Sequence, residues 1–247
     1  MNINNYFDIV YVVTTKRLKN RHNYITNHLS KFNINFEFIY GPDRKDINID
    51  NYFIADHFKK NKSTQIEIAC LISHYNAWHH MINNNYKNCL ILEDDCHLHP
   101  DFIKNNKLFL ENINNINWDI IQYGWLPAKY KNPEDNIINN HVSKQWSFIG
   151  GAHCYAIKNN TARILKKNII LFKKDIDLVN IDKLYRKGII NKSIDGYIGD
   201  ISNPWTKKKK NPNINLQSYR PNDCLAFDCS HGNEFTDIKF SVFALNE

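Results

Sequence analysis

No run of eighteen or more apolar residues occurs in the 247-residue chain, so a membrane-spanning helix is not expected. The N-terminus, "MNINNYFDIVYVV", lacks a positive leader region and a small-residue cleavage site, which excludes a secretory signal from the reading. No CxxC pair exists among the six cysteines (70, 89, 96, 154, 224 and 229), and no paired Cys/His spacing suggests a zinc finger. Free buried thiols in a reducing, cytoplasmic setting is the expectation. Basic residues do not form a ladder with interleaved aromatics, which argues against a nucleic-acid partner. Glycines are few, and neither an internal repeat nor a Pro/Gly/Ser-rich linker appears, so residues 1–247 are read as a single domain. Oligomeric state is not legible.

What is present is a packed chain: 43% hydrophobic and 13% aromatic residues, enough for a sizeable core. The net charge of +7 is mostly dispersed. Its one dense block, "KKKKN" at 207–211, reads as a solvated loop or a patch for an anionic partner.

Strand and helix patterns alternate. "FDIVYVV" (7–13) is a β-rich run and "TTKRLKNRHNYITNHLSKF" a helix. "INFEFIYG" is a second strand, closed by a Gly-Pro-Asp turn. "DNYFIADHF" suggests a short helix. "STQIEIACLISHYNAWHHMIN" predicts a long one, N-capped at Ser63, with Ile68, Leu71, Ile72, Tyr75, Trp78 and Met81 on its apolar face. Then come the strand "CLILEDD", a helix near 101–113, the strand "DIIQYGW" and a polar loop over 127–145. The strand "GGAHCYAI" and helices at "NNTARILKKNI" and "DIDLVNIDKLYRKG" follow, before a tail with one short strand. Such alternation implies an α/β fold with a mostly parallel sheet and helices on both faces.

The chemistry concentrates in "NCLILEDDCHLHP". A short apolar strand runs into Glu93, Asp94 and Asp95, which repel one another and call for a positive charge at the strand end. In open α/β sheets ligands bind at those carboxyl ends. Grouped hard oxygens suit Mn²⁺ or Mg²⁺ bridging to substrate phosphates. On spacing alone, nucleotidyl, phosphoryl and glycosyl transfer all remain open, beside the plain reading of an Asp that turns the chain. His97 and His99 are weaker ligand candidates.

"IEIACLISHYNAW" followed by "CLILEDDCHLHPDF" resembles the signature of glycosyltransferase family 25, Gly-Glu-x-Gly-Cys-x-x-Ser-His-x-x-x-Trp and then a strand ending in Glu-Asp-Asp. Glu67, Cys70, Ser73, His74 and Trp78 stand in place, while Ile66 and Ala69 replace the two glycines. "IVYVVTTKRLKNR" resembles the family's first strand and Arg-rich loop, keeping Arg17 and Arg21 but placing Thr14 where Asn is usual. "YGPDRKDIN" is similar to its turn after strand two, placing Asp43 and Lys45. "WDIIQYG", "WSFIGGAHCYAIKNNTARIL" and "SIDGYI" match later motifs, the last with Asp195 on an aspartate. "FDCSHGNEFTDIKFSV" is closest to the collagen-type members and places His231 and Asp237.

The resemblance implies a GT-A (Rossmann-like) fold and a metal-dependent, inverting transfer of galactose or glucose from a UDP-sugar. The acceptor would be a hydroxyl of a glycan or of hydroxylysine in a collagen-like protein. Mn²⁺ (or Mg²⁺) is expected on Asp94, Asp95 and His231. Thr14, Arg17, Asp43, Lys45, Glu67, His74, Glu93 and Asp94 are the expected donor contacts. For Glu67 and His74, a plain helix–sheet contact is the alternative. Asp195 is the expected base, with Asp200 and Asp177 as rivals and a helix cap as its alternative role. Trp146 is a candidate for stacking on a sugar. Two other functions stay open: a nucleotidyltransferase using the same acids, and an inactive homologue that only binds glycan or protein.

Overall fold

The computed structural model describes residues 2–52, 54, 59, 63–125, 136–145, 150–168, 193–202 and 216–229. In chain order the elements are α1 (Ile3–Tyr6), β1 (Ile9–Thr15), α2 (Lys19–Ser30), β2 (Glu37–Gly41), α3 (Thr64–Asn83), β3 (Asn88–Glu93) and β4 (Cys96–Leu98). There follow α4 (Phe102–Ile113), β5 (Ile120–Gln122), β6 (Asn136–Ile137), β7 (Val142–Gln145), β8 (Cys154–Lys158), α5 (Asn159–Asn168), α6 (Ile194–Ser202), β9 (Ser218–Pro221) and β10 (Ala226–Asp228). Short 3₁₀ turns lie at Arg44–Asp46 and Ile49–Asn51.

Eight strands form one sheet in the order β2-β1-β3-β8-β5-β9-β7-β6. Following the pairings across it, only β8 and β7 run against the other six. The sheet is thus mostly parallel in strand direction. β8 lies between β3 and β5 and runs antiparallel to both.

Alternation along β1 and β3 divides the core. Tyr11, Val13, Cys89 and Ile91 face one way, packing with Trp78 and Met81 of α3 and with Leu165 and Ile198 of α5 and α6. Val10, Val12, Leu90 and Leu92 face the other, against Ile25 and Leu29 of α2 and Phe109 of α4. Helices therefore cover both faces. Each fully buried large apolar side chain contributes about 1.5–3 kcal/mol, and Trp78 and Tyr11 are among the largest. This same two-residue period decides where the acids point.

Several details differ from the sequence reading. Ser63 sits at the start of α3 without capping it; its hydroxyl serves the carboxylate of Glu67. The polar loop expected over 127–145 contains β6 and β7, and β9 and β4 were not anticipated. The helix expected over 175–188, Asp177, Trp146, His231, Asp237 and the 207–211 lysine block lie outside the described residues, as does most of "DNYFIADHF".

Candidate functional site

The register Val13↔Glu93 between β1 and β3 places the ends of both strands side by side. Thr14, on the α2 face of β1, donates its hydroxyl to Asp94 Oδ2, and His22 Nε2 lies 3.0 Å from that same hydroxyl. A turn after β3 then carries Asp95 into β4. This short strand pairs with β10 and brings Asp228 beside the acids (Asp228↔Cys96). The Cys229 amide donates to the Asp95 carbonyl at 3.1 Å and ties down the turn.

The positive charge that the sequence calls for is Arg21. From the first turn of α2 its Nη1 reaches Asp94 Oδ1 at 3.0 Å and Asp95 Oδ2 at 2.8 Å. Burial pushes the Asp94 carboxyl up, against the pull of Arg21 and of the Thr14 hydrogen bond. Asp95 is pushed well above the usual carboxylate range by burial, then by Glu93 and Asp228, with Arg21 again opposing. Its Oδ1 is buried and has no hydrogen-bond partner among the described residues. Oxygen donors, a held positive charge and an unpartnered buried acceptor together fit a hard cation at Asp94 and Asp95.

Glu93 belongs to the other face. Its Oε1 receives His74 Nε2 at 3.1 Å and Cys70 Sγ at 3.5 Å, both from α3. His74 Nδ1 lies 3.0 Å from the Tyr155 hydroxyl, which also accepts the Trp78 indole N–H at 3.0 Å. Among the described residues, Cys70, His74 and Glu93 are the one group of three such side chains whose donor atoms all lie within 4.8 Å of one another.

A cleft of about 380 Å³ opens over these strand ends. Thr14, Arg17, Arg21, Asp43, Arg44, Cys70, Ser73, Glu93, Asp94, Asp95 and Asp228 contribute to its walls. Arg17 Nε donates to Asp43 Oδ2. Asp43 is held below the usual carboxylate range, first by the backbone N–H of Lys45 and then by Arg17. The Lys45 side chain is exposed and Arg44 takes the wall position instead.

Glu67 and Asp195 do not line the cleft, and the Glu67 carboxyl feels the charges of both Asp195 and Glu93. Asp195 Oδ2 accepts from the Gly151 amide at 3.1 Å, and its Oδ1 from the Gly196 amide at 2.8 Å and the Ser193 hydroxyl. The Glu67 carboxyl is pushed up by burial, then by the nearby Asp195 charge. For Asp200 only the backbone, in α6, is described. Sequence reasoning missed Arg44 and Asp228. Asp228 joins the site only through β4–β10 pairing, which leaves no periodic signal.

His97 and His99 do not approach the acids as ligands. His99 Nδ1 accepts the Asp101 amide, while His97 Nδ1 meets the Tyr24 hydroxyl and its ring stacks on His28 at 4.2 Å. His28 Nε2 accepts the Leu98 amide at 2.8 Å, which pins β4 to α2. Burial holds His28 down at about 3, helped by His97. With its folded pKa below the unfolded 6.5, the histidine contributes stability above pH 6.5 that is lost as pH falls toward 3. His28→Gln, which retains an acceptor, should lose less on acidification. The gap between the two proteins in urea unfolding should narrow by on the order of 2 kcal/mol from pH 6.5 to 5. An unchanged gap would place the His28 pKa near its ordinary value.

Fold and cleft together define an α/β protein with a charged cleft at the carboxyl ends of its central strands. A profile of "Glycosyltransferase family 25 (LPS biosynthesis protein)" matches residues 7–184, and the chain belongs to that family. Among curated relatives, a glycosyltransferase 25 family member of Aedes aegypti is 29% identical over 47% of this chain and 21% of its own length. Procollagen galactosyltransferase 2 of Homo sapiens is 25% identical over 58% of this chain and 25% of its own length. The matched segments thus span only about a quarter or less of these relatives. Among the described residues, no helix is long and apolar enough to cross a membrane.

Proposed function

We propose that the protein is a metal-dependent, inverting galactosyltransferase that uses a UDP-sugar. The acceptor would be a hydroxyl of a glycan or of hydroxylysine in a collagen-like protein. Family membership supports glycosyl over nucleotidyl transfer at the same acids, and the names of the procollagen relatives support galactose and a collagen-like acceptor. The observation that carries the reading is Asp94 and Asp95 lining the cleft, bridged by Arg21, with one Asp95 oxygen unpartnered among the described residues.

Asp94 and Asp95 would hold Mn²⁺ or Mg²⁺, whose Lewis acidity would neutralise a departing diphosphate. Arg17, Arg21 and Arg44, which all line the cleft, would offer positive charge to the phosphates. Asp43, oriented by Arg17 and the Lys45 amide, would accept hydrogen bonds from uracil or ribose. Asp195, steadied by Gly151 and Ser193, would take the acceptor hydroxyl's proton.

Calorimetry tests the donor side. UDP is expected to bind only with Mn²⁺ present, and about tenfold or more weakly in Arg17→Ala or Asp43→Ala, the loss of one charge-assisted hydrogen bond. Equal binding with and without Mn²⁺ would move the diphosphate away from Asp94 and Asp95.

A further inference from the structure

We propose that Cys70, His74 and Glu93 form a zinc site in the wall of the cleft, separate from the hard-cation site at Asp94 and Asp95, so that His74 and Glu93 of the expected donor contacts serve a metal instead. No zinc spacing is visible along the chain because one donor comes from another element. Cys70 and His74 are one helical turn apart on the same face of α3, and β3 supplies Glu93.

The geometry is that of an ion site closed by protons. Tetrahedral zinc, with bonds of about 2.3 Å to sulfur and about 2.0–2.1 Å to nitrogen and oxygen, sets its ligand atoms roughly 3.3–3.6 Å apart. Here Sγ–Oε1 is 3.5 Å and Nε2–Oε1 is 3.1 Å, and all three donors lie within 4.8 Å of one another. An ion would take the place of the bridging protons. Cys70 and Glu93 both face the cleft, which gives a route in and leaves the fourth position open to solvent or ligand.

The surroundings suit a bound metal. His74 is fully buried, and its remote Nδ1 is fixed by Tyr155, itself held by the Trp78 indole. Such outer partners orient metal-bound histidines and settle which nitrogen carries the proton. On binding, Zn²⁺ displaces the Cys70 thiol proton to solvent and forms the Zn–S bond. The His74 proton moves from Nε2 to Nδ1, where the Tyr155 oxygen accepts it. At least one proton is released per ion, so affinity falls as pH falls. Softness separates the two sites: thiolate and imidazole select zinc, while the all-oxygen pair selects manganese or magnesium.

Cobalt(II) is the probe. Titrated into the metal-free full chain, it should give a near-ultraviolet thiolate-to-cobalt absorption band that saturates at a single ion and is abolished by added Zn²⁺. Cys70→Ser and His74→Gln should each remove the band, and Zn²⁺ should raise the melting temperature of the unaltered protein but of neither variant. Asp94→Asn should keep the band. Cys154→Ser should also keep it, a control for the adjacent Cys96 and Cys154 thiols. Absence of a thiolate band in the unaltered protein, or its survival in Cys70→Ser, would overturn the proposal. Loss on Cys154→Ser alone would place the soft metal on the other face of the sheet.

Discussion

Asp95→Asn is expected to abolish sugar transfer while leaving the fold in place. The carboxylate is buried, one of its oxygens is paired to Arg21, and the other has no hydrogen-bond partner among the described residues. An amide keeps the shape but lacks the charge that a hard cation needs. Arg21 stays paired with Asp94, so no buried cation is stranded and far-UV circular dichroism should be unchanged. Asp94→Asn should behave alike, because its amide oxygen still accepts from Thr14. Mn²⁺ binding, read by the loss of free-ion signal in electron paramagnetic resonance, should weaken in both variants together with UDP release. Either variant working at full rate, in chelator, would remove these residues from metal binding. Removing Arg21 acts in the opposite sense. Arg21→Met leaves two buried carboxylates uncompensated, so the metal-free protein should be the form that suffers and added Mn²⁺ the condition that restores it.

Asp195→Asn should lower the catalytic rate by about two to four orders of magnitude, the usual contribution of a positioned base. UDP-sugar binding should hardly change, since Asp195 does not line the cleft. Glu67 is the comparison. Its carboxyl is pushed up by burial and by the charge of Asp195, so removing that charge should move Glu67 ionisation downward and shift the acidic limb of the pH profile the same way. If Glu67→Gln alone carries the rate loss, the base is Glu67. If Asp195→Asn instead loses donor affinity, the residue is a donor group and the acceptor's proton goes elsewhere.

The parts of this architecture that were legible in sequence are those governed by apolar periodicity. The predicted helix over 63–83 is observed at Thr64–Asn83, and the apolar run before the acids is β3. The parts that were not legible are polar and non-local. β7 reads "VSKQ", yet Ser143 and Gln145 are buried. Gln145 donates to Gln122 Oε1 at 3.0 Å and accepts from the Ser218 hydroxyl at 3.0 Å, so side-chain hydrogen bonds compensate burial that hydrophobicity would not predict.

The site divides along the same line. Thr14, Asp94 and Asp95 converge because β1 and β3 are neighbours with apolar patterns. Asp228 arrives through a three-residue strand, and Glu93 turns to the opposite face because successive strand residues alternate. Three adjacent acids therefore separate into two environments. One pair meets a guanidinium, and the remaining acid meets a thiol and an imidazole.

The most direct measurement is UDP release from a panel of UDP-sugars with a collagen-like or glycan acceptor, run with Mn²⁺ and again after chelation. The account predicts release from UDP-galactose that requires acceptor for its full rate, disappears in chelator and returns with Mn²⁺. Release that is indifferent to the metal, or turnover of nucleoside triphosphates in place of UDP-sugars, would contradict it.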